Sequence, residues 1–160
     1  MMVVMMVMMA CMVTTAAGMS DHVPLEACKS MIPEGHGAGA QTSRPPYTLS
    51  AQSNALATGP QVTVQLEGLG SGAKFKGFFV RAFDSSSSSS LGSFTRAPKT
   101  IDCDGQASGA HHANPDPKRS VTLTWVPPPG YTGSVIFLAT VVQSQKVFWI
   151  NIKSNTVTLS

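Results

Sequence analysis

Three histidines, His36, His111 and His112, are the residues whose type and spacing point most directly to chemistry. Imidazole nitrogens bind zinc and copper, and a carboxylate from Asp102 or Asp104 can complete such a ligand set. The three histidines are therefore candidate metal ligands. The alternative interpretation is structural, because their spacing matches no recognised ligand motif, and loop histidines also hydrogen-bond the backbone or face solvent.

Two of the three cysteines form the second chemically meaningful set. Cys11 lies in an N-terminal segment that we expect to be removed, which leaves Cys28 and Cys103 as an even pair. In a chain sent to an oxidising compartment, such a pair predicts a disulfide. The closed loop is long, so the chain-entropy model gives on the order of 4 to 5 kcal/mol of stabilisation. The bond would also draw the segments of the candidate histidines toward one end of the molecule.

Motifs for enzymatic chemistry are weak in this sequence. The spacing Gly68-x-Gly70-x-x-Ala73 matches a dinucleotide-binding fingerprint, but that motif needs a following helix, and the residues after it favour a strand. The serines lie in low-complexity sequence, without a Gly-x-Ser-x-Gly elbow. Asp102 and Asp104 flank a cysteine expected in a disulfide, which favours a loop role over glycoside hydrolysis. We predict no enzymatic activity and no cofactor.

Four aromatic side chains offer a hypothesis about sugar binding. Trp125 and Trp149, with Phe148 and Phe78, could form a platform on which a sugar ring stacks. Aromatic residues within runs of β-forming residues more often belong to a hydrophobic core. We therefore expect these rings to be buried.

The charge distribution argues against two classes of partner. Eleven basic and eight acidic residues give a net charge of +3, and the basic side chains are scattered without a long run. A nucleic-acid-binding surface or a membrane-active amphipathic helix would concentrate its positive charge. We predict neither nucleic-acid binding nor stable membrane insertion.

The apolar residues recur with the period of β-strands. Val62, Val64 and Leu66 alternate with polar residues, and Val121, Leu123 and Trp125 do the same. Three further strands are predicted at Phe75 to Phe83, at Val135 to Val142, and where Phe148, Ile150 and Ile152 form one face with Trp149 on the other. A last short strand is expected within Thr156 to Leu159.

Two segments between these strands are predicted to be loops. Asp84 to Ser90 contains a run of six serines and no apolar side chain to bury, so we expect it to be exposed and mobile. Asp104 to Pro117 is rich in Gly, Asn, Asp, His and Pro, which predicts a long irregular loop.

The N-terminus has the pattern of a secretory signal peptide. No charged residue occurs in residues 1–18, and the apolar block Met2 to Val13 gives way to small residues. The block is shorter than the roughly 20 residues needed to span a bilayer. Although a basic residue before the block is missing, we expect cleavage after Ala17 or Gly18. The mature, secreted chain would then be a single domain, residues 19–160.

Short strands separated by turn signals, without a convincing amphipathic helix, predict the fold class. The pattern is typical of an all-β antiparallel sandwich and favours it over a barrel or an α/β fold. One disulfide would cross-link this sandwich.

Several motifs follow one another in an order that resembles the reeler family, over residues 28 to 160. They are Cys28-x-x-Met31-x-Pro33, His36-Gly37, Pro46-Tyr47, Phe75-Lys76-Gly77-Phe78, Arg81-Ala82, Gly92-Ser93-Phe94, Cys103, His111 or His112, Thr124-Trp125, Ala139-Thr140-Val141-Val142 and Phe148-Trp149. The serine run and the glycine-rich residues 34–40 depart from the family pattern. Both lie in predicted loops, where added residues cost little free energy.

The resemblance implies a fold and a biological setting. Reeler domains have an immunoglobulin-like sandwich fold, and a stand-alone copy behind a signal peptide is most similar to small secreted defence proteins. This implies extracellular binding of a microbial surface component or of a host protein. An adhesion module of the extracellular matrix and a secreted metal-binding protein are the alternatives. Reductase activity, which some members have through separate regions, is not implied.

Overall fold

The computed structural model describes residues 23–33 and 35–160. The predicted signal peptide, residues 1–18, lies outside the described residues. Within them the chain forms one helical turn, α1 (Ala27–Ser30), followed by strands only. The strands are β1 (Tyr47–Leu56), β2 (Gly59–Gly68), β3 (Gly77–Asp84), β4 (Ser93–Arg96), β5 (Lys99–Ile101), β6 (Gly109–His111), β7 (Ser120–Val126), β8 (Gly133–Ser144), β9 (Val147–Lys153) and β10 (Val157–Leu159).

The strands form two antiparallel sheets, as the sequence predicted. One sheet has the order β1-β2-β7-β4, and the other has the order β10-β8-β3-β6-β5 with β9 also beside β8. Strand β8 organises the second sheet because it is long enough to serve several neighbours. One of its edges pairs with β3 along eight positions, and the other pairs first with β10 and then with β9.

The core between the sheets comes from the alternating residues identified in the sequence. Val62, Val64 and Leu66 of β2 are fully buried, while Thr63, between the first two, is only partly buried. Trp125 of β7 is also fully buried. Its ring packs edge-to-face against the ring of Phe137, which belongs to the other sheet, and the two ring centroids are 5.4 Å apart. Each such side chain contributes roughly 1.5 to 3 kcal/mol by leaving water. The prediction that Trp125 belongs to the core is confirmed.

Strand β9 departs from the predicted alternation. Trp149 and Ile152 both join the central core, whereas Phe148 packs against the ring of His36, 5.8 Å away. The backbone of Asn151 has a φ of 58°, and the pairing of β9 with β8 shifts register twice. Such irregularities reverse the inside-outside order of a strand. The prediction that Phe148, Ile150 and Ile152 share a face opposite Trp149 was therefore wrong.

The segment Asp104 to Pro117 is not wholly irregular, because it contains β6. This strand lies between β3 and β5 and hydrogen-bonds to both, although it has only three residues. Its first residue must be small: a Cβ on Gly109 would lie 2.7 Å from the ring of Phe79 and 2.8 Å from Ile101. Pairing partners, and not a period of apolar residues, define β6.

The chain before β1 covers part of the outer face of the second sheet. Ala27, Cys28 and Met31 bury against Phe79, forming a small core separate from the main one. Thr140 of β8 donates a hydrogen bond to the carbonyl of Met31. This packing fixes α1 above β3 and β8 and thereby positions Cys28.

Candidate functional site

The predicted disulfide joins α1 to the chain after β5. Cys28 and Cys103 are bonded, with their Cα atoms 5.5 Å apart, which is a common separation for this cross-link. The bond holds the N-terminal segment against the end of the second sheet. The pairing inferred from the cysteine count and the expected compartment is confirmed.

The candidate histidines do not form one metal site. His36 lies beside the β8–β9 turn, where its Nδ1 is 2.6 Å from the carbonyl of Gln145. His111 is buried in β6, and its Nδ1 lies 2.8 Å from the carbonyl of His112. Among residues 23–33 and 35–160, no three His, Cys, Asp or Glu side chains form a group that could hold a metal ion. The expected joint site of all three histidines is therefore not present in the described structure.

The ring of His112 occupies a structural position next to β3. Its Nδ1 lies 3.2 Å from the backbone nitrogen of Phe78, and a Cβ on Gly77 would come within 3.1 Å of the ring. The backbone of Gly77 therefore lies directly against an imidazole. His36 contacts Gln145 and Phe148, whereas His112 lies against β3, so the disulfide does not gather the three histidines into one site.

A different set of side chains surrounds an open recess of about 540 Å³ next to the disulfide. We call it the disulfide recess. Its lining comes from α1, from β3, from the serine run and from the chain after Cys103. The lining residues are Cys28, Lys29, Arg81, Phe83, Ser88, Ser89, Ser90 and Asp104.

Arg81 is the buried charge of the disulfide recess. Its residue exposure is 4%, and its Nη2 lies 2.6 Å from Oδ1 of Asp104. Nη1 donates to the carbonyl of Cys28, and the guanidinium lies 5.2 Å from the centre of the Phe83 ring. Nε is buried without a hydrogen-bond partner among the described residues. A guanidinium removed from water needs such partners, because an unpaired buried charge is costly.

Asp104 presents a fixed carboxylate to solvent. Its side chain is 54% exposed, while Oδ1 accepts from Arg81 and Oδ2 accepts from the hydroxyl of Ser90. Burial acts to raise the pKa of Asp104, but the hydrogen bonds from Ser90 and Arg81 and the guanidinium charge outweigh it. The pKa therefore lies below its ordinary value. The group is ionised at neutral pH.

The serine run forms an ordered turn in the structure. We call residues 85–90 the serine turn. Asp84 Oδ1 accepts hydrogen bonds from the backbone nitrogens of Ser86, at 2.8 Å, and Ser87, at 3.0 Å. The hydroxyl of Ser90 binds Asp104 at the other end. The residues of the serine turn are mostly exposed, as predicted, but hydrogen bonds at both of its ends hold the turn in place.

Hydrogen bonds at the base of the serine turn also shift two pKa values. Asp84 accepts from the hydroxyls of Ser86 and Tyr131, and these bonds hold the pKa of Asp84 far below its usual range. Burial, together with the nearby Asp84 carboxylate, raises the pKa of Tyr131 to about 12. The turn is therefore anchored through ionised Asp84 and neutral Tyr131.

The disulfide recess brings together groups that can hydrogen-bond to a ligand. It combines hydrogen-bond donors, a fixed carboxylate and one aromatic ring. Serine nucleophiles require a neighbouring base such as histidine, and no histidine is among the described residues that line the recess. Sequence reasoning missed this site. The available signal was Arg81, a charged residue within an apolar strand pattern, since such a residue needs buried partners.

Comparisons with known proteins agree with the fold. A family model described as the reeler domain matches residues 26–160. The crystal structure of the human F-spondin reeler domain superposes with a TM-score of 0.57 at 15% identity, covering 77% of this chain and 94% of that one. At this identity the likeness shows the fold alone. In the described residues, no helix is long and apolar enough to cross a membrane.

Relatives that match by sequence carry two kinds of name. The chain is 36% identical to a putative defense protein of Bombyx mori, covering 84% of this chain and 82% of that one. It is 33% identical to a defense protein of Drosophila melanogaster, covering 90% of this chain and 91% of that one. It is also 37% identical to a putative ferric-chelate reductase 1 of Danio rerio, but spans only 23% of that protein.

The family model covers all ten strands of the described residues and both cysteines of the disulfide. This chain belongs to the reeler domain family, and relatives that it matches over nearly their full length are named defense proteins.

Proposed function

We propose that this chain is a secreted, non-catalytic defence protein that binds a surface component of microbes through the disulfide recess. The recess carries this proposal, because it presents serine hydroxyls and an ionised carboxylate, oriented by a buried guanidinium, on one accessible surface. Sites that recognise small groups use a few such fixed polar atoms.

An extracellular location is supported by the disulfide. Bonds of this kind persist in oxidising compartments and are rare in the cytosol. The Cys28–Cys103 bond holds the wall of the recess to the sheet. Secretion and the integrity of the recess are therefore linked.

A defence role is supported by the extent of the sequence match. The chain spans 82% and 91% of two relatives that are named as defense proteins. It spans about a quarter or less of the ferric-chelate reductases that it matches. Electron transfer by those longer proteins is therefore not proposed for this chain.

Binding without catalysis is supported by the composition of the recess. Asp104 already accepts from Arg81 and Ser90, and its lowered pKa makes it a poor general acid. Arg81 is held by Cys28 and Asp104. These groups are positioned to accept and donate hydrogen bonds.

The test is a pull-down with protein secreted from eukaryotic cells. The purified protein is mixed with whole bacteria, with purified cell-wall polymers and with immobilised matrix proteins. We expect it to sediment with bacteria and with at least one polymer. Binding to matrix proteins alone would overturn the defence proposal in favour of an adhesion module.

A further inference from the structure

We infer that the disulfide recess binds hydroxyl groups of a neutral sugar. The inference rests on the proposed function and specifies the chemical class of the ligand. Neutral sugars present hydroxyls that donate and accept at once, so they need donors and acceptors side by side. The recess offers both kinds within one lining, together with the ring of Phe83.

The acceptor side of the site is Asp104. Both carboxylate oxygens are oriented by protein donors, yet 54% of the side chain remains exposed. Each carboxylate oxygen can accept more than one hydrogen bond. Asp104 can therefore accept from a sugar hydroxyl while it keeps its contacts with Arg81 and Ser90.

The donor side includes Lys29 and the serine turn. Lys29 is exposed at the edge of the recess. The side chains of Ser88 and Ser89 are exposed on the same lining. The backbone of Ser88 has a φ of 58°, so the end of the turn has a defined shape. These groups can donate to sugar oxygens opposite Asp104.

The buried guanidinium orients the acceptor of the site. Arg81 is more than nine-tenths buried, and its Nη2 donates to Oδ1 of Asp104. Its Nε has no acceptor among the described residues, but this atom is closed to solvent, so a ligand in the recess would not reach it in this structure. The guanidinium therefore acts on a ligand by holding the Asp104 carboxylate in one orientation, which lowers the ordering cost of binding.

The fixed charge of Asp104 separates sugars from anionic ligands. An anion bound in the recess would lie against an ionised carboxylate, and Arg81 is already neutralised by that carboxylate. The other cation of the lining, Lys29, lies at the exposed edge. Like-charge contact costs binding free energy, so a phosphate or carboxylate group is disfavoured relative to a neutral hydroxyl group.

The experiment is saturation-transfer NMR on the secreted full chain. The probes are the methyl glycosides of mannose, galactose, glucose and N-acetylglucosamine, with methyl phosphate and acetate as anionic probes. At least one glycoside should give a transfer signal, and the anions should give none. Asp104→Asn should weaken the glycoside at least about tenfold, as expected for loss of a charge-assisted hydrogen bond.

Matched variants locate the effect. Asp116→Asn changes an exposed aspartate away from the recess and should leave the signal unchanged. Ser89→Trp places an indole in the lining of the recess and leaves every atom of the Arg81–Asp104 pair in place, so it should abolish the signal even if Asp104→Asn unfolds the protein. The control for Ser89→Trp is Ser50→Trp, at an exposed position of β1.

Three outcomes would overturn the inference. The first is the absence of any glycoside signal, and the second is a glycoside signal that is equal in wild type and Ser89→Trp. The third is a signal from an anionic probe, and not from a glycoside, that is lost in Ser89→Trp. The bacterial pull-down is run in parallel. Bacterial binding without a glycoside signal would refute the sugar inference alone. Absence of both would also refute the proposed function.

Discussion

The guanidinium of Arg81 lies 2.6 Å from Oδ1 of Asp104, and this contact joins a central strand to the loop that follows the disulfide. Ser90 binds the other oxygen of Asp104, which connects the serine turn to the same point. Three segments distant in sequence thereby meet at one side of the sandwich. The position of the recess follows from this meeting.

Breaking the Arg81–Asp104 contact should lower stability. We expect Asp104→Ala to reduce the free energy of unfolding by about 1 to 3 kcal/mol, because Arg81 would stay buried without its carboxylate. Urea denaturation measures this change. Asp116→Ala, at an exposed position, should change the midpoint little. Equal effects of the two variants would show that the pair contributes nothing.

The disulfide should contribute a larger share of stability. Replacing both Cys28 and Cys103 with alanine should reduce the free energy of unfolding by about 2 to 5 kcal/mol, since the unfolded chain gains freedom. Thermal and urea unfolding of the secreted double variant would measure the loss. An unchanged midpoint would contradict the assigned role of the bond. Loss of secretion would agree with it.

Two glycines with similar backbones provide a matched pair for testing the packing. Gly92 has a φ of 70°, and a Cβ there would lie 2.1 Å from the ring of Trp125. Gly130 has a φ of 74°, and a Cβ there would have no atom of the described residues within 4 Å. Gly130→Ala should therefore lower the free energy of unfolding only by the strain of an alanine in the left-handed region, about 1 to 2 kcal/mol.

Gly92→Ala should cost that strain plus the displacement of a buried tryptophan, a total of about 3 kcal/mol or more. The difference between the two variants in a urea titration measures the packing of Trp125 and of the Val126 carbonyl against Gly92. Equal losses would mean that neither Trp125 nor the Val126 carbonyl packs closely against Gly92.

Acid should weaken the anchoring of the serine turn. The hydrogen bonds from Ser86 and Tyr131 hold the folded-state pKa of Asp84 below its unfolded value of about 3.9. Its contribution to stability is therefore present above about pH 4 and is lost as the pH falls below that value. Asp84→Asn should show a shallower decline in stability between about pH 4 and pH 2. Parallel curves for wild type and variant would contradict this.

The sequence predicted those parts of the fold that local pattern determines. Val62, Val64 and Leu66 alternate because one face of β2 is buried, and the cysteine pairing followed from count and compartment. Ile152 was assigned to the face of Phe148 but lies in the core with Trp149, because the positive φ of Asn151 leaves no mark on the apolar pattern. β6 was missed because its three residues are defined by neighbouring strands.

The candidate site was less accessible to sequence reasoning than the fold. The histidines were chosen by residue type, but their positions depend on where the chain crosses the second sheet. Arg81 and Asp104 are 23 residues apart and meet only through tertiary packing. The charged Arg81 inside an apolar strand indicated that a partner must exist, but it did not indicate which residue that partner is.

The most direct test is a binding isotherm on whole bacteria with fluorescently labelled protein. Wild type and Ser50→Trp should bind with the same affinity, while Ser89→Trp, which places an indole in the lining of the disulfide recess, should bind at least about tenfold more weakly. Equal binding by Ser89→Trp and wild type would place recognition elsewhere on the molecule and contradict a role for the recess.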